Sequence, residues 1–462
     1  MSALDMVIKH LSGTNYNALT PDVIEATKKQ ILDMSGVIVS GSTCGISGEI
    51  NDLVDMVKDW GGKEESTIIA FGGRVPALNA AFVNGILCAR RDFDDTKLGF
   101  AGGHVSRAIV PTAFAMAERQ GKISGREFIT AVALGHDLGC RIQLAGRGRD
   151  SWYMATNFFG AAATAGKILG LRDEKMRYAL ALAFHQICGA QGGGGSAGLG
   201  SLKGMSNGFT CKAGVLSALL AQSGFMVDWD ILEAKNKSNF YEVFYGGAYS
   251  PVLLTLDLGK LFLGTSTSQK EFPCCHMQHT SLKASLGLLK EYDIKADDVV
   301  EVVISLPEHN YSLLTAPVEK KQNPQNFTEA QYSLCWGVAS AIVYGSVGIR
   351  NFTEEALRDA KVREMARKVF GKPEMELSKQ PMSSPAIVEI RIKNGKVFSK
   401  RVDYPFGSPE DPMTFADVAT KFRHCCEYSV KSISRANQDK VIQMIEGLEE
   451  LTDVSQIVRL LG

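Results

Sequence analysis

The spacing of apolar residues predicts helices over the first two-thirds of the chain. Apolar positions recur every three or four residues after Thr20-Pro21, where threonine is a favoured N-cap and proline a favoured first helical residue. Ser124 and Glu127 form a capping-box pattern before a second amphipathic segment. Ala161 to Leu171 and Lys212 to Ala221 are further apolar helical segments. We therefore expect a large all-helical domain.

The pattern changes near residue 265. Val299 to Leu306 is β-branched, which predicts a strand. Residues 388–393 alternate strictly between apolar and polar, Asn394-Gly395 is a hairpin-turn signal, and Val397 to Val402 is the expected return strand. Tyr332 to Tyr344 predicts a helix, and residues 417–461 have a helical pattern again.

These patterns predict a mainly α protein with two domains. Residues 1–267 together with 403–462 form the all-helical domain, and residues 268–402 form a smaller α+β lid domain. A chain of 462 residues is long enough for more than one core.

Composition excludes several classes of function. Lys+Arg and Asp+Glu are both 50, so a nucleic-acid or membrane-surface protein is not expected. No apolar run is long enough to span a membrane, and residues 1–10 lack the pattern of a signal peptide. The ten cysteines in a chain of this size favour a reducing cytoplasm over a disulfide scaffold.

The densest polar stretch is residues 90–97, followed by His104 to Arg107. Arginine binds carboxylates in a bidentate manner, and a histidine near an aspartate is a tunable acid or base. By chemistry alone, Arg91, Arg107 and Lys97 are candidates for carboxylate binding. Gly99, Gly102 and Gly103 would allow His104 to fold back toward the acids. The alternative is a solvated loop.

Two other motifs are weaker signals. The run Gly192 to Gly195 lacks the Lys-Ser/Thr ending of a phosphate-binding P-loop, so it predicts only a loop. Cys274-Cys275-His276 and His279 lack the usual spacing of metal ligands, and the sequence has no C-x-x-C. We expect neither metal nor cofactor, and expect His279 to contact substrate from the lid.

An ordered set of motifs resembles the MmgE/PrpD family, which includes 2-methylcitrate dehydratase, cis-aconitate decarboxylase and iminodisuccinate epimerase. The motifs cover nearly the whole chain and are Asn84-Gly85, Asp92-Phe93-Asp94-Asp95-Thr96, His104-x-Ser106, Gly135-His136-Asp137, Phe159 to Leu171, Lys203 to Ala221, Phe272-Pro273-Cys274-Cys275, Glu329 to Ser333 and Lys421-Phe422. The resemblance implies the MmgE/PrpD fold, an active site between the helical domain and the lid, and a homodimer.

The resemblance also implies site residues. Asp92, Thr96, His104 and Lys203 match positions that line the family's active site. Asp92 would orient a neighbour, His104 would be a general acid or base, and Lys203 would bind a carboxylate or act as a base. Tyr153 stands where cis-aconitate decarboxylases have a catalytic histidine, which argues against decarboxylation.

Three functions follow from these residues. The first is a cofactor-independent lyase similar to 2-methylcitrate dehydratase, which moves a proton next to a carboxylate of a small di- or tricarboxylic acid. The second is a dicarboxylate epimerase that uses Tyr153 and Lys203 on opposite faces of one carbon. The third is a non-catalytic helical binding protein, which the departures Ala89 and Tyr153 motivate.

Overall fold

The structure is a computed structural model that describes residues 1–45, 48–97, 103–146, 153–187, 202–227, 229–233, 238–380 and 384–462. The side chains of Tyr153 and Lys203 lie outside this description, as does the run Gly192 to Gly195.

Helices make up most of the part before residue 260 and the last part of the chain. The first group is α1 (Ala3–Gly13), α2 (Pro21–Gly41), α3 (Glu49–Asp59), α4 (Ala77–Arg90), α5 (Ser106–Gln120), α6 (Gly125–Ala145), α7 (Tyr153–Ile168), α8 (Asp173–Phe184), α9 (Leu202–Gln222), α10 (Phe240–Tyr245) and α11 (Pro251–Leu254). A short antiparallel pair, β1 (Ser66–Thr67) and β2 (Arg74–Val75), precedes α4.

The caps follow the predicted start signals. Pro21 is the first residue of α2, after Thr20. Ser124 accepts from the backbone N–H of Glu127, whose carboxylate in turn accepts from the N–H of Ser124 at the start of α6. Both predicted helix starts are confirmed.

Small residues let the central helices approach closely. A Cβ added to Gly135 of α6 would stand 1.9 Å from Oγ1 of Thr164 on α7, and one added to Gly214 of α9 would stand 2.5 Å from Cβ of Ala161 on α7. The backbones meet because these positions lack side-chain volume.

The middle of the chain builds a four-stranded sheet covered by helices. The strands are β3 (Val299–Leu306), β4 (Val369–Pro373), β5 (Ala386–Ile392) and β6 (Val397–Val402), in the order β4-β3-β5-β6. The pair β3/β4 is parallel, and the other two pairs are antiparallel. The helices are α12 (His279–Tyr292), α13 (Glu308–Leu314), α14 (Val318–Lys321), α15 (Phe327–Gln331), α16 (Leu334–Tyr344) and α17 (Ala360–Ala366).

The chain then returns to the first group of helices through α18 (Phe415–Cys426), α19 (Arg435–Glu446) and α20 (Ser455–Leu461). α18 contacts α2, and the carbonyl of Leu461 accepts from the N–H of Ala70 at 2.8 Å. The predicted fold class, mainly α with a smaller α+β part, is confirmed.

Two clusters of buried apolar residues result. The large core draws on residues 3–262 and 413–461, with Ile349 added, and the small core on residues 272–390. The domain boundaries drawn from the sequence remain a prediction. No helix in the described part of the chain is long and apolar enough to cross a membrane. Nine cysteines lie in the described ranges, and all are free thiols.

Candidate active site

The acidic loop, residues 91–97, lies where the two cores meet. α4 ends at Arg90, and Asp92 then adopts a left-handed backbone conformation with φ +52°. Aspartate tolerates this conformation better than most residues, and the turn directs the following acids inward. Asp92, Asp94 and Asp95 are all fully buried. The expectation of a solvated loop is therefore wrong.

Side chains from distant parts of the chain hold the backbone carbonyls of this loop. Gln331 Nε2 donates to Arg91 O (2.8 Å), Lys270 Nζ to Asp92 O (2.7 Å), Lys421 Nζ to Phe93 O (2.8 Å) and His104 Nδ1 to Asp95 O (3.1 Å). Gln331 comes from the small core, and Lys270 from residues 263–271, which link the large core to the small core. Lys421 lies on α18, and His104 lies just before α5. The loop conformation therefore depends on both cores.

His104 is folded back onto the acids. The backbones of Lys97 and Gly103 pair at 2.8 Å in both directions, and this pairing places His104 near Asp94. Nδ1 of His104 lies 2.8 Å from Oδ2 of Asp94. The predicted approach of His104 to the acids is confirmed, with Gly99 and Gly102 outside the described residues.

The partners of His104 determine its tautomer. Asp94 Oδ2 and Asp95 O are both acceptors, so Nδ1 carries the proton and Nε2 holds the lone pair. Burial lowers the pKa of His104, and the carboxylate of Asp94 opposes that shift without cancelling it. The lowered pKa favours the neutral ring, with Nε2 as its basic nitrogen.

Asp94 is an ionised carboxylate. Burial raises its pKa, but the electrostatic interactions and the hydrogen bond with His104, together with the charge of Arg107, outweigh burial and hold the pKa well below its ordinary value. Arg107 Nη1 lies 3.5 Å from Asp94 Oδ2. Arg107 thus contacts the acid that orients His104, as a charged neighbour of the base.

Asp95 and Ser106 continue the network away from His104. Ser106 Oγ donates to Asp95 Oδ2 at 2.6 Å and lies 3.2 Å from His136 Nδ1. Burial, with Asp33 and Asp94 nearby, raises the pKa of Asp95 well above its ordinary value. Burial lowers the pKa of His136 to about 3. This layer therefore favours uncharged forms of Asp95 and His136.

Two buried lysines balance the acids. Lys270 Nζ lies 3.1 Å from Asp92 Oδ1, and Lys421 Nζ lies 2.7 Å from Asp33 Oδ1. Lys421 also lies 4.0 Å above the ring of Phe93. Their side chains are 0% and 6% exposed, so both ion pairs act in a low-dielectric region.

Three predicted binding residues have other partners. Arg91 Nε donates to Ser40 O at 2.9 Å and its Nη2 to Thr43, at the end of α2. Lys97 Nζ donates to Leu263 O at 2.9 Å and to Ser266. Thr96 pairs with Ser268 through its backbone, and its hydroxyl donates to Gly103 O at 3.3 Å. Thr96 adjoins the site, whereas the charged groups of Arg91 and Lys97 bind backbone and hydroxyl groups.

The backbones of Tyr153 and Lys203 begin helices beside the site. One turn after Tyr153 in α7, Asn157 Nδ2 donates to His104 O at 2.7 Å. Next to Lys203 in α9, a Cβ on Gly204 would lie 2.6 Å from Cδ of Arg90, the last residue of α4. Both helix starts thus lie close to the acidic loop.

His279 is the first residue of α12 and is 1% exposed. Its ring lies 5.2 Å from that of Phe272 and 5.0 Å from that of His276, between centroids. Burial, followed by His276 and Lys270, lowers its pKa well below the ordinary value. Within the described ranges, no group of three His, Cys, Asp or Glu is placed to hold a metal ion.

Sequence reasoning gave the orienting role to Asp92, whereas the structure places Asp94 at His104. It also missed Lys270, Gln331 and the role of Lys421. Gln331 and Lys421 occur in motifs that carried the family resemblance, but nothing in their spacing indicates contact with residues more than 230 positions earlier. Lys270 lies just before the Phe272-Pro273 motif in the sequence. This proximity is the one sequence feature that could have indicated Lys270.

The arrangement supports proton transfer at a substrate held between the cores. It provides a neutral histidine with a defined basic nitrogen, an ionised aspartate that orients it, and buried cations near developing negative charge. Fold and site together define an acid–base enzyme with a helical body and a smaller α+β part.

The chain belongs to the MmgE/PrpD family. The family model of the MmgE/PrpD N-terminal domain matches residues 7–251, and that of the C-terminal domain matches residues 272–447. The family resemblance and the expected class of MmgE/PrpD-type enzyme, a lyase or isomerase, are thereby confirmed.

Curated relatives cover nearly the whole chain. Cis-aconitate decarboxylase of Mus musculus is 26% identical over 98% of this chain and 91% of that protein. Cis-aconitate decarboxylase of Homo sapiens is 27% identical over 98% and 92%, and that of Aspergillus terreus is 27% identical over 86% and 83%.

Proposed function

We propose that this protein is a lyase that acts on a small polycarboxylic acid by moving a proton on the carbon next to a carboxylate. The observation that carries the proposal is the contact of 2.8 Å between His104 Nδ1 and Asp94, which makes Nε2 the basic nitrogen of a partly buried ring. The names of the relatives, all of them lyases of a tricarboxylic acid, support the substrate class.

Proton transfer at such a carbon builds negative charge on the adjacent carboxylate. Nε2 of His104 takes the proton, and Asp94 stabilises the imidazolium that forms. Lys203, at the start of α9, is the proposed partner for the charged carboxylate, and Lys270 holds Asp92 at the same junction. His279 is proposed to contact the substrate from the small core.

We place dehydration first among the finer reactions. In a hydro-lyase similar to 2-methylcitrate dehydratase, one group removes the carbon-bound proton and a second protonates the departing hydroxyl. His104 fits the first role. Tyr153 fits the second because a phenol is a proton donor at neutral pH.

Decarboxylation of cis-aconitate is the second candidate, favoured by the names of the relatives. It needs loss of CO₂ and then protonation of the resulting carbanion, which the protonated form of His104 would perform. Tyr153, in place of the histidine expected in such decarboxylases, makes it the second choice.

Epimerisation by Tyr153 and Lys203 would exchange a proton at one carbon without elimination. We include three further features in the proposal. The family resemblance supports a homodimer, the cysteine content favours the cytoplasm, and the lack of metal-ligand spacing favours a reaction without metal or cofactor. Size-exclusion chromatography with light scattering tests the dimer.

One experiment separates the reactions. The protein is incubated in D₂O with citrate, 2-methylcitrate, cis-aconitate and iminodisuccinate, and products are followed by proton NMR. Dehydration of a hydroxy acid gives a vinyl signal, and decarboxylation of cis-aconitate gives a deuterated C5 product. Exchange at an unchanged skeleton identifies an epimerase.

The control is His104→Ala, which should remove whichever reaction is seen. If no acid is turned over or exchanged, and His104→Ala and Lys203→Ala bind the acids as the unmodified protein does, the chain is a binding protein and the proposal fails.

A further inference from the structure

The ring of His276 is buried, and none of the described residues forms a hydrogen bond with it. The residue is 4% exposed, and neither Nδ1 nor Nε2 has a partner among the residues that the structure describes. Burying one such polar group unsatisfied costs about 1–3 kcal/mol. A phenylalanine would fill this position without that cost, so the imidazole requires an explanation.

Both cores surround this ring with titratable groups. From its own segment, His276 faces Lys270 and the ring of His279 on α12, with centroids 5.0 Å apart. From the large core it faces His104 and Asp92. His276 therefore lies next to the small core and is also close enough to the acidic loop to be influenced by its charges.

The surroundings favour the uncharged form of His276. Burial, with Lys270 and His104 nearby, lowers its pKa to about 3, although Asp92 acts in the opposite direction. An anion placed beside the ring would add a second opposing influence and favour the protonated form.

We propose that His276 binds a carboxylate group of the substrate and takes up a proton from solvent as that carboxylate enters. The step is His276 imidazole plus one proton giving the imidazolium, with no covalent bond made or broken. An N–H of the ring then donates a charge-assisted hydrogen bond to the carboxylate. This inference deepens the proposed function and depends on it.

The test uses tricarballylate, a saturated tricarboxylate, as the ligand. Binding to the whole protein is measured by titration calorimetry at pH 7.5 in phosphate and in Tris, whose different ionisation enthalpies give the number of protons taken up. His276→Gln should bind at least about 10-fold more weakly than the unmodified protein and take up about one proton fewer. His309→Gln, an exposed histidine on α13, is the matched control and should change neither value.

Steady-state kinetics provide a second readout. KM and kcat are measured with the acid that the D₂O assay identifies as a substrate. His276→Gln should raise KM about 10-fold or more while kcat changes by less than about 3-fold, because the contact is made in both the ground state and the transition state. A structural role alone would not separate the two constants in this way.

A third measurement detects protonation of the ring directly, in the unmodified protein. In the unmodified protein labelled with ¹³C at histidine Cε1, one ring signal should move from the neutral to the protonated position when tricarballylate binds. The His276→Gln spectrum identifies that signal.

Two results would overturn the inference, and they differ in scope. If tricarballylate binds the unmodified protein while His276→Gln shows the same affinity and proton count, or while every ring signal stays neutral, only the role of His276 is wrong. If the unmodified protein neither binds tricarballylate nor turns over any polycarboxylate, the proposed function fails and the inference fails with it.

Discussion

His104 has its basic nitrogen selected by two acceptors at Nδ1, the carboxylate of Asp94 and the carbonyl of Asp95. Removing the ring of His104 and removing the carboxylate of Asp94 should therefore impair proton transfer for different reasons. Without the ring there is no base. Without the carboxylate the ring remains, but its tautomer is no longer fixed and the imidazolium loses its stabilising charge.

His104→Ala should lower kcat at least about 100-fold, and Asp94→Asn should lower it by a comparable factor, with folding intact. The D₂O assay with the preferred acid measures both. His309→Ala, on the surface of the small core, should leave kcat unchanged. Unchanged turnover in His104→Ala would remove this residue from the mechanism.

The buried pair Lys421 and Asp33 is a second residue-scale feature, with 2.7 Å between Nζ and Oδ1. Lys421→Met leaves Asp33 buried without its cation and should lower the free energy of unfolding by about 3–5 kcal/mol. Urea denaturation measures the loss. The double variant Asp33→Leu with Lys421→Met should recover much of it.

The matched control is Lys295→Met, which breaks the exposed pair with Asp293 and should cost less than about 1 kcal/mol. If Lys421→Met and Lys295→Met lower the free energy of unfolding equally, Lys421 does not stabilise the protein as the buried partner of Asp33.

Residue types and local order predicted part of this site. A histidine after an acidic run and flexible glycines led to His104, and chemistry alone led to Arg107. Arg91 and Lys97 were chosen for their charge, but sequence does not reveal which way a side chain turns at the end of a helix. Long-range contacts such as Lys270 with Asp92 depend on tertiary folding and leave no periodic pattern.

At the scale of elements, periodicity predicted more than it did for the site. The strand Val299–Leu306 and the hairpin return Val397–Val402 have the predicted bounds, and Gly395 has φ +83°, as a hairpin turn requires. The predicted helix over 332–344 begins at Leu334, capped by Ser333. The strand Val369–Pro373 was missed because it is short, contains glycine and proline, and pairs in parallel with a strand far earlier in the sequence.

Close packing of α6 on α7 leads to a prediction for Gly135. Its added Cβ would lie 1.9 Å from Thr164 Oγ1 and 2.8 Å from Gly160 O. Gly135→Ala should therefore lower the free energy of unfolding by about 1–3 kcal/mol, since the helices must separate. Thermal and urea denaturation measure this change.

Gly13→Ala is the control at a helical glycine with nothing within 4 Å of the added Cβ. It should be neutral or slightly stabilising, because alanine favours helix. A stabilising effect of Gly135→Ala would show that the α6/α7 contact tolerates more volume than the structure allows.

At the scale of the whole molecule, two segments connect the cores and contact each other. The first is residues 263–271 and the second is residues 403–412. Gln269 N donates to Gly407 O at 3.0 Å, and Gly407 has φ +93° with room for no side chain beside Gln269 O. Glu271 lies on the first segment. Burial, together with Asp411, raises the pKa of Glu271 to about 7, although Lys283 acts against the shift.

This raised pKa predicts a pH-dependent difference between the unmodified protein and Glu271→Gln. The folded state holds the proton more tightly, so the stabilisation from protonated Glu271 is fully present below pH 4.5, its ordinary pKa, and is lost as the pH rises through about 7. Relative to Glu271→Gln, the unmodified protein should lose on the order of 1–3 kcal/mol over this range.

Unfolding free energies at several pH values from 4.5 to 8 measure this difference. Glu410→Gln, exposed on the second segment, should follow the unmodified protein at each pH. A constant difference between Glu271→Gln and the unmodified protein would show that Glu271 ionises with its ordinary pKa.

The position of Lys421 near the end of the chain has a consequence for synthesis. While the ribosome is still making the small core, Asp33, Asp94 and Asp95 have been translated but the lysine that contacts Asp33 and Phe93 has not. Until α18 is made, Asp33 on α2 lacks the cation that pairs with it in the folded protein. The native junction is therefore completed only after α18 (Phe415–Cys426) has been synthesised.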